Sequence, residues 1–165
     1  MSDEWQTSLE DNLISTGSVL AAGIAYSTGE VFAAAAAEGD AEEQLHHPDF
    51  ITSVEVEDEN GEVVTTEVEV NEAETIAKVF DESIAPGLVW IGGHKYVVMS
   101  RDTDVQVEGS SGRTVLAVLQ GGEKGANLLY LEDLGYILIA VHDETKRQGG
   151  ASRMAVLSYA SAFYG

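Results

Sequence analysis

Few side chains in this 165-residue chain could do covalent chemistry. Cysteine is absent, which removes a thiolate nucleophile, a disulfide framework and any Cys-based metal or redox site. His142-Asp143-Glu144 sets an imidazole beside two carboxylates, the raw material of general acid–base work. A polar loop following a strand accounts for the same residues without catalysis, and paired acids are abundant throughout by composition. Gly109-Ser110-Ser111-Gly112 is not the Gly-x-Ser-x-Gly elbow that exposes a nucleophile. His46-His47 offers two imidazoles, but adjacent residues point apart and no third ligand stands at a fixed spacing. Asp58-x-Asn60-Gly61 matches a fragment of a calcium loop without its other spaced acids or closing Glu. Gly121 to Gly125 lacks the Gly-Lys-Ser/Thr pattern of a phosphate loop. The sequence therefore predicts no enzyme, no metal and no cofactor. What remains is recognition by charge and by aromatic surface.

The charge is very unevenly placed. Of a formal net −21, 19 acids and no base lie before Lys78. From Lys78 onward ten acids meet eight bases: Lys78, Lys95, Arg101, Arg113, Lys124, Lys146, Arg147 and Arg153. An acidic body repels phosphate backbones and anionic lipid surfaces, which argues against nucleic acid and membrane adsorption. Two readings stay open: a solvated acidic surface that maintains solubility, or a bipolar molecule whose bases gather to meet an acidic partner. The chain holds no apolar run near the ~20 residues of a membrane span and no basic-then-apolar leader, so a cytoplasmic protein is expected.

The elements that must position these residues follow from periodicity. Trp5, Leu9 and Leu13 recur every four residues, predicting a helix over 3–16 with Ser2 or Asp3 as cap and Gly17 as stop. Strands are expected over 18–25 and 30–36 around Ser27-Thr28-Gly29. Residues 38–49 suit a loop with a short helix at most. Val54 and Val56, then Val68 and Val70, alternate with Glu55, Glu57, Glu67 and Glu69 about Asn60-Gly61. That predicts a hairpin over about 51–70 with one aliphatic and one carboxylate face. Asn71-x-x-Glu74 signals a helix start, and the spacing of Ala73, Ile76, Ala77 and Phe80 predicts a helix over 72–82 that buries Phe80 against the sheet, with Trp90 buried beside it. Val105-x-Val107 reads as a weak strand, 113–120 as a better one, and 127–131 with 136–141 as a last hairpin. Ser152 is placed to cap a final helix whose Val156, Tyr159, Ala160 and Phe163 form an amphipathic stripe. Strands joined by short turns imply an antiparallel sheet in one domain spanning 1–165.

The central stretch is Trp90-Ile91-Gly92-Gly93-His94-Lys95-Tyr96-Val97-Val98-Met99. Gly-Gly permits φ > 0 at both turn positions, so two strands meet there in a tight hairpin. By periodicity alone Lys95 is an ordinary side chain snorkelling from that hairpin. Trp90-Ile91-Gly92-Gly93-x-Lys95-Tyr96, after an Ala85-Pro86-Gly87 turn, resembles the central hairpin of profilins, closest to the apicomplexan branch. Trp5, Thr16-Gly17, Ala22-Gly23-Ile24-Ala25, Val31-Phe32-Ala33-Ala34-Ala35, the 56–76 segment, His142-Asp143-Glu144-x-Lys146 and Ser152-Arg153 resemble that family in the same order.

The resemblance implies an α/β fold of the α+β type. Its central antiparallel sheet carries N- and C-terminal helices on one face and shorter helices on the other, with a protruding acidic β-hairpin added. It implies a monomeric, cytoskeleton-associated protein that binds monomeric actin and regulates its polymerisation. The matching actin positions are Lys95, Arg101, Lys146, Arg147 and Arg153. The hairpin tip Asp58, Glu59 and Asn60 is a further candidate, since that insertion adds to the contact in the apicomplexan branch. Lys95, Arg147 and Arg153 suit charge-assisted bonds to acidic actin side chains. The resemblance also implies weak binding of proline-rich formin segments through Trp5 with Tyr159 and Tyr164. The family's Tyr three residues after the Trp is Ser8 here, and Trp5 with Tyr159 serves equally to join two helices. Phosphoinositide binding is expected to be weak or absent. The competing function is a non-actin adaptor on the same scaffold.

Overall fold

The computed structural model describes residues 3–81, 83 and 87–164. The Ala85-Pro86 turn and the Ser2 cap lie outside the described residues. Among the described residues, four α-helices and nine strands run in the order α1 (Asp3–Asn12), β1 (Ala21–Tyr26), β2 (Val31–Ala36), α2 (Ala41–Leu45), β3 (Phe50–Glu57), β4 (Val63–Val70), α3 (Glu72–Lys78), β5 (Leu88–Ile91), β6 (His94–Asp102), β7 (Thr114–Gly121), β8 (Lys124–Leu131), β9 (Tyr136–Asp143) and α4 (Gly149–Ala162). Seven strands form one antiparallel sheet, β2-β1-β9-β8-β7-β6-β5, and β3-β4 form a separate two-stranded sheet.

Alternation along the strands feeds two cores. On one face Leu45 of α2 and Ile76 of α3 pack with Phe80, Ile91, Tyr96, Leu119 and Ile139. On the other Leu9 of α1, Leu13 and the Val156, Tyr159 and Ala160 stripe of α4 pack with Ile24, Leu116, Leu129 and Leu138. The expected two-layer covering of the sheet is thus present: terminal helices on one face, short helices on the other.

Several boundaries differ from the sequence reading. α1 stops at Asn12, and a 3-10 turn over Ile14–Thr16 carries the chain to Gly17, which ends it at φ 77°. α3 ends at Lys78; Val79 and Phe80 follow as a buried turn. Asn71 caps α3 as expected, its side chain accepting the Glu74 amide at 3.1 Å. Val105 and Val107 form no strand: both are buried in the terminal-helix core from a loop, and Thr114 donates to the Val105 carbonyl. Ser152 is not the cap of α4. The helix begins at Gly149, and Ser152 lies buried within it, bonded to Asn127 of β8 at 3.2 Å. Two glycines at a helix start carry no capping signal, so only the packing reveals it. Phe80 and Trp90 are both buried, 6% and 7% exposed, but only Phe80 lies in the short-helix core. Val89 and Ile91 take the helix-facing side of β5, so Trp90 points the other way and meets Phe50 edge-on, ring centroids 6.4 Å apart.

The β3-β4 ladder pairs Phe50 with Val70, Thr52 with Val68, Val54 with Thr66 and Val56 with Val64. That face is buried only at its base, where Val70 is 2% exposed; Val56 and Val64 are 43% and 39% exposed towards the tip. Ile51 and Val63 share the other face with the glutamates. Asp58 turns its carboxylate inward, accepting the Asn60 and Glu62 amides at 2.9 Å each, and leaves Glu59 and Asn60 exposed.

Candidate functional site

Lys95 is positioned by a buried carboxylate. Gly92 and Gly93 turn with φ 61° and 80°, which lets the chain reverse in two residues. A Cβ on Gly92 would stand 2.1 Å from the Gln44 carbonyl oxygen, so no side chain fits between that turn and α2. Glu72, the first residue of α3 and 2% exposed, accepts backbone N–H bonds from His47 (2.9 Å), Gly92 (2.9 Å) and Gly93 (2.6 Å). One carboxylate therefore ties α3, the His47 loop and the β5-β6 turn together, and Lys95 leaves that turn two residues later.

The side of the sheet that Lys95 faces is only partly covered. α1 packs on β2 and α4 on β8 and β9. Tyr96 and Val98 turn to the short-helix core, so Lys95 and Val97 turn to the terminal-helix side, where α1 and α4 pack chiefly on β2, β8 and β9. Lys95 stands opposite Trp90 in the ladder and Val97 opposite Gln120. A bulge at Met99 shifts the register and re-aims the strand. Val97 is 49% exposed and Met99 59%. At the end of β6, Asp102 meets Arg153 of α4 at 3.8 Å. Lys95, Val97 and Met99 thus give β6 an exposed stretch, cationic and apolar together, with Arg153 at its far end. Sequence reasoning found its charges and missed Val97 and Met99. Their alternation with Tyr96 and Val98 was the available signal.

Arg101 does not join them. The bulge turns it to the opposite side, where it donates to the carbonyls of Val79 (3.0 Å) and Asp81 (3.4 Å) after α3. Lys146 and Arg147 are exposed in the 3-10 turn before α4, with Arg147 at φ 54°. That turn is anchored by His142, which is fully buried and bonded through Nε2 to Glu144. An imidazole with no exposed surface cannot reach a substrate; here it positions a loop. His47 bonds the Pro48 carbonyl at 2.7 Å and packs on Phe50, and among the described residues no group of metal-ligating side chains converges.

Aromatic rings gather at the other end of the sheet. Trp5 stacks on Phe163, just past α4, with centroids 5.7 Å apart and meets Phe32 and Tyr136 edge-on at 5.9 and 6.2 Å. Tyr26, 47% exposed, stacks on Phe32 at 4.4 Å. Tyr159 lies beneath, 5% exposed, its ring on Phe163 and its hydroxyl 2.8 Å from Ser8 Oγ. The small Ser8 is what lets Tyr159 reach α1. Tyr164 is turned away from the cluster, donating its hydroxyl to Asp133 at 2.5 Å. Of the three aromatic residues singled out in the sequence, two come together. Tyr26, Phe32, Tyr136 and Phe163 were missed, because three strands and a helix must be assembled to bring them within reach.

The Tyr164 hydroxyl is also the main reason the Asp133 carboxyl sits below its usual range, with the Ser111 amide and hydroxyl assisting. A depressed folded-state pKa stabilises the protein above the unfolded value of ~3.9 and ceases to do so as pH falls through the lower folded value. Tyr164→Phe is therefore expected to lower stability at neutral pH and to flatten its loss below about pH 4. Urea midpoints that keep the wild-type pH profile in the variant would sink this assignment.

The sequence pattern of the Profilin family matches residues 3–163. The chain belongs to the profilin family. It is 35% identical over 167 residues to a profilin of Plasmodium falciparum (isolate 3D7), covering 94% of this chain and 92% of that protein. It is 31% identical over 165 residues to a profilin of Plasmodium berghei, covering 94% and 90%. This kinship is of the apicomplexan type. Profilin IA of Acanthamoeba castellanii superposes with a TM-score of 0.55 at 17% identity, over 96% of this chain and 97% of that one. Profilin IB of the same organism gives 0.55 at 18%, and both show the fold alone. As a profilin, the chain is an actin-binding regulator of a non-enzymatic family. No helix among the described residues is long and apolar enough to cross a membrane.

Proposed function

We propose that this profilin binds monomeric actin with the exposed side of β6 and the start of α4, and thereby regulates filament assembly in the cytoplasm. The observation that carries this reading is the exposed pair Val97 and Met99 on β6, with Lys95 at one end and Arg153 at the other. An apolar patch rimmed by charge on a sheet otherwise covered by helices suits a protein partner. In a chain of net charge −21 this is where bases and apolar surface coincide, which suits acidic side chains on actin. Lys146 and Arg147 extend the contact from the loop before α4, and Arg101 supports it through the end of α3. The assay is pyrene-actin assembly: the protein should delay and reduce polymer in proportion to its concentration, and an unaltered time course would favour the non-actin adaptor reading.

The hairpin over 51–70 is proposed as a further part of this contact, through Asp58, Glu59 and Asn60. Trp90 joins the two regions, since it packs on Phe50 at the hairpin base and stands opposite Lys95. Replacing 54–68 by a short Gly-Ser linker spares the buried base at Val70 and should leave a folded protein that binds actin more weakly. Wild-type affinity in that variant would remove the hairpin from the contact.

A second ligand is supported by the Trp5 cluster. Proline-rich segments, such as formins carry, form a polyproline II helix that docks on flat aromatic surface. Trp5, Tyr26, Phe32, Tyr136 and Phe163 supply such a surface, supported from below by Tyr159. Affinity should be modest, about −5 to −6 kcal/mol or tens to hundreds of micromolar. With Trp90→Phe isolating the remaining indole, Trp5 fluorescence should respond to oligoproline. A silent signal at millimolar peptide, with the fold intact, would discard this site. The acidic surface disfavours phosphoinositides, and we assign the protein as a monomer.

A further inference from the structure

Away from the Trp5 cluster, at the opposite end of β1 and β9, lies a cavity of about 320 Å³. Leu20, Ala21, Ile91 and Val141 supply its apolar lining, and Asp40, Glu43 and Lys124 its charges. Tyr96 also lines it. This tyrosine is 1% exposed, yet its hydroxyl makes no hydrogen bond to any described residue. A phenol so deeply buried ordinarily finds a partner, so an unpaired one beside an open cavity marks a place for a ligand atom. Burial, with the Glu72 carboxylate adding to it, pushes the Tyr96 phenol up from its ordinary pKa, so it meets a ligand as a neutral hydroxyl.

The cavity's chemistry selects the ligand. Two carboxylates against one ammonium leave it net negative, which repels anions. Its volume is at the small end of ligand pockets, ~300–1,000 Å³, room for one short chain. The apolar lining suits a methylene stem, and an ammonium brings three donors for the acceptors present: Asp40, Glu43 and the Tyr96 oxygen. The Gln44 side-chain nitrogen donates to the Glu38 carbonyl, which leaves its Oε1 as a further acceptor. We propose that this cavity binds a primary alkylammonium group on an aliphatic stem, as a lysine side chain or a small free amine carries.

The test is a titration of the 15N-labelled full chain with n-butylammonium chloride, ionic strength being held with tetramethylammonium chloride, a cation without an N–H. Saturable shifts of the Gly39, Gln44 and Gly92 amides are expected with butylammonium and not with tetramethylammonium. Tyr96→Phe removes only an unpaired hydroxyl, and should weaken binding about three- to tenfold with the fold intact. Glu43→Gln should act in the same direction, whereas Glu67→Gln on the hairpin should have no effect. A capped Gly-Lys-Gly peptide separates the sources: its binding assigns the cavity to a partner's lysine, and its failure beside bound butylammonium assigns it to a free amine. Equal shifts with both cations, or undiminished affinity in Tyr96→Phe, would overturn the proposal.

Discussion

Glu72→Ala is expected to lower stability by about 4 kcal/mol, because three backbone N–H groups lose a charged acceptor in a site that water reaches poorly. For a chain of this size that corresponds to a fall in Tm of roughly 8–16 °C. Its carboxylate holds the His47, Gly92 and Gly93 amides at once, so three elements loosen together. Glu72→Gln makes a sharper comparison. One amide oxygen still accepts from His47 and Gly92, but the NH₂ then faces the Gly93 N–H, donor against donor. Its Tm should fall between wild type and Glu72→Ala. Thermal unfolding followed by circular dichroism reads both. A shift below about 3 °C for the alanine variant would mean that water replaces the carboxylate. Since the clamp fixes the turn that carries Lys95, actin binding should weaken alongside stability.

Lys95→Glu and Arg153→Glu should each weaken actin-monomer binding about tenfold or more, since each converts an attraction into a like-charge contact. Neither supports the core. Lys95 is exposed, and Arg153 reaches Asp102 only at 3.8 Å with both side chains nearly half exposed. Melting temperatures should therefore stay within a few degrees of wild type, in contrast to Glu72→Ala. Val97→Ala and Met99→Ala test the apolar part of the same surface and should weaken binding without any change of charge. Sequestration of pyrene-actin by both charge variants at wild-type efficiency would show that the contact lies elsewhere on the molecule.

Much of this protein is written in local signals. Gly92-Gly93 specified a two-residue reversal because both positions take positive φ, and Asn60-Gly61 marked the longer β3-β4 turn, where Gly61 alone takes positive φ. The Val156, Tyr159 and Ala160 stripe specified the buried side of α4, since helical period alone decides which face is apolar. The run of short motifs from Trp5 to Arg153 carried the family, and with it the layering of the sheet. Such features depend on neighbours in sequence, so sequence contains them.

The binding surfaces depend on neighbours in space. No local rule pairs Trp5 with Phe32 and Tyr136, which belong to strands brought together only by the β2-β1-β9 order of the sheet. Arg101 and Lys95 lie on one strand and were expected on one surface; the bulge at Met99 sends them to opposite sides. Val105 and Val107 alternate like a strand, yet they are buried from a loop because the terminal-helix core takes apolar side chains whatever backbone presents them. Glu72 reads as one acid among 29. Only the closed fold surrounds it with three amides, because hydrogen-bond partners 20 and more residues away are set by packing rather than by period.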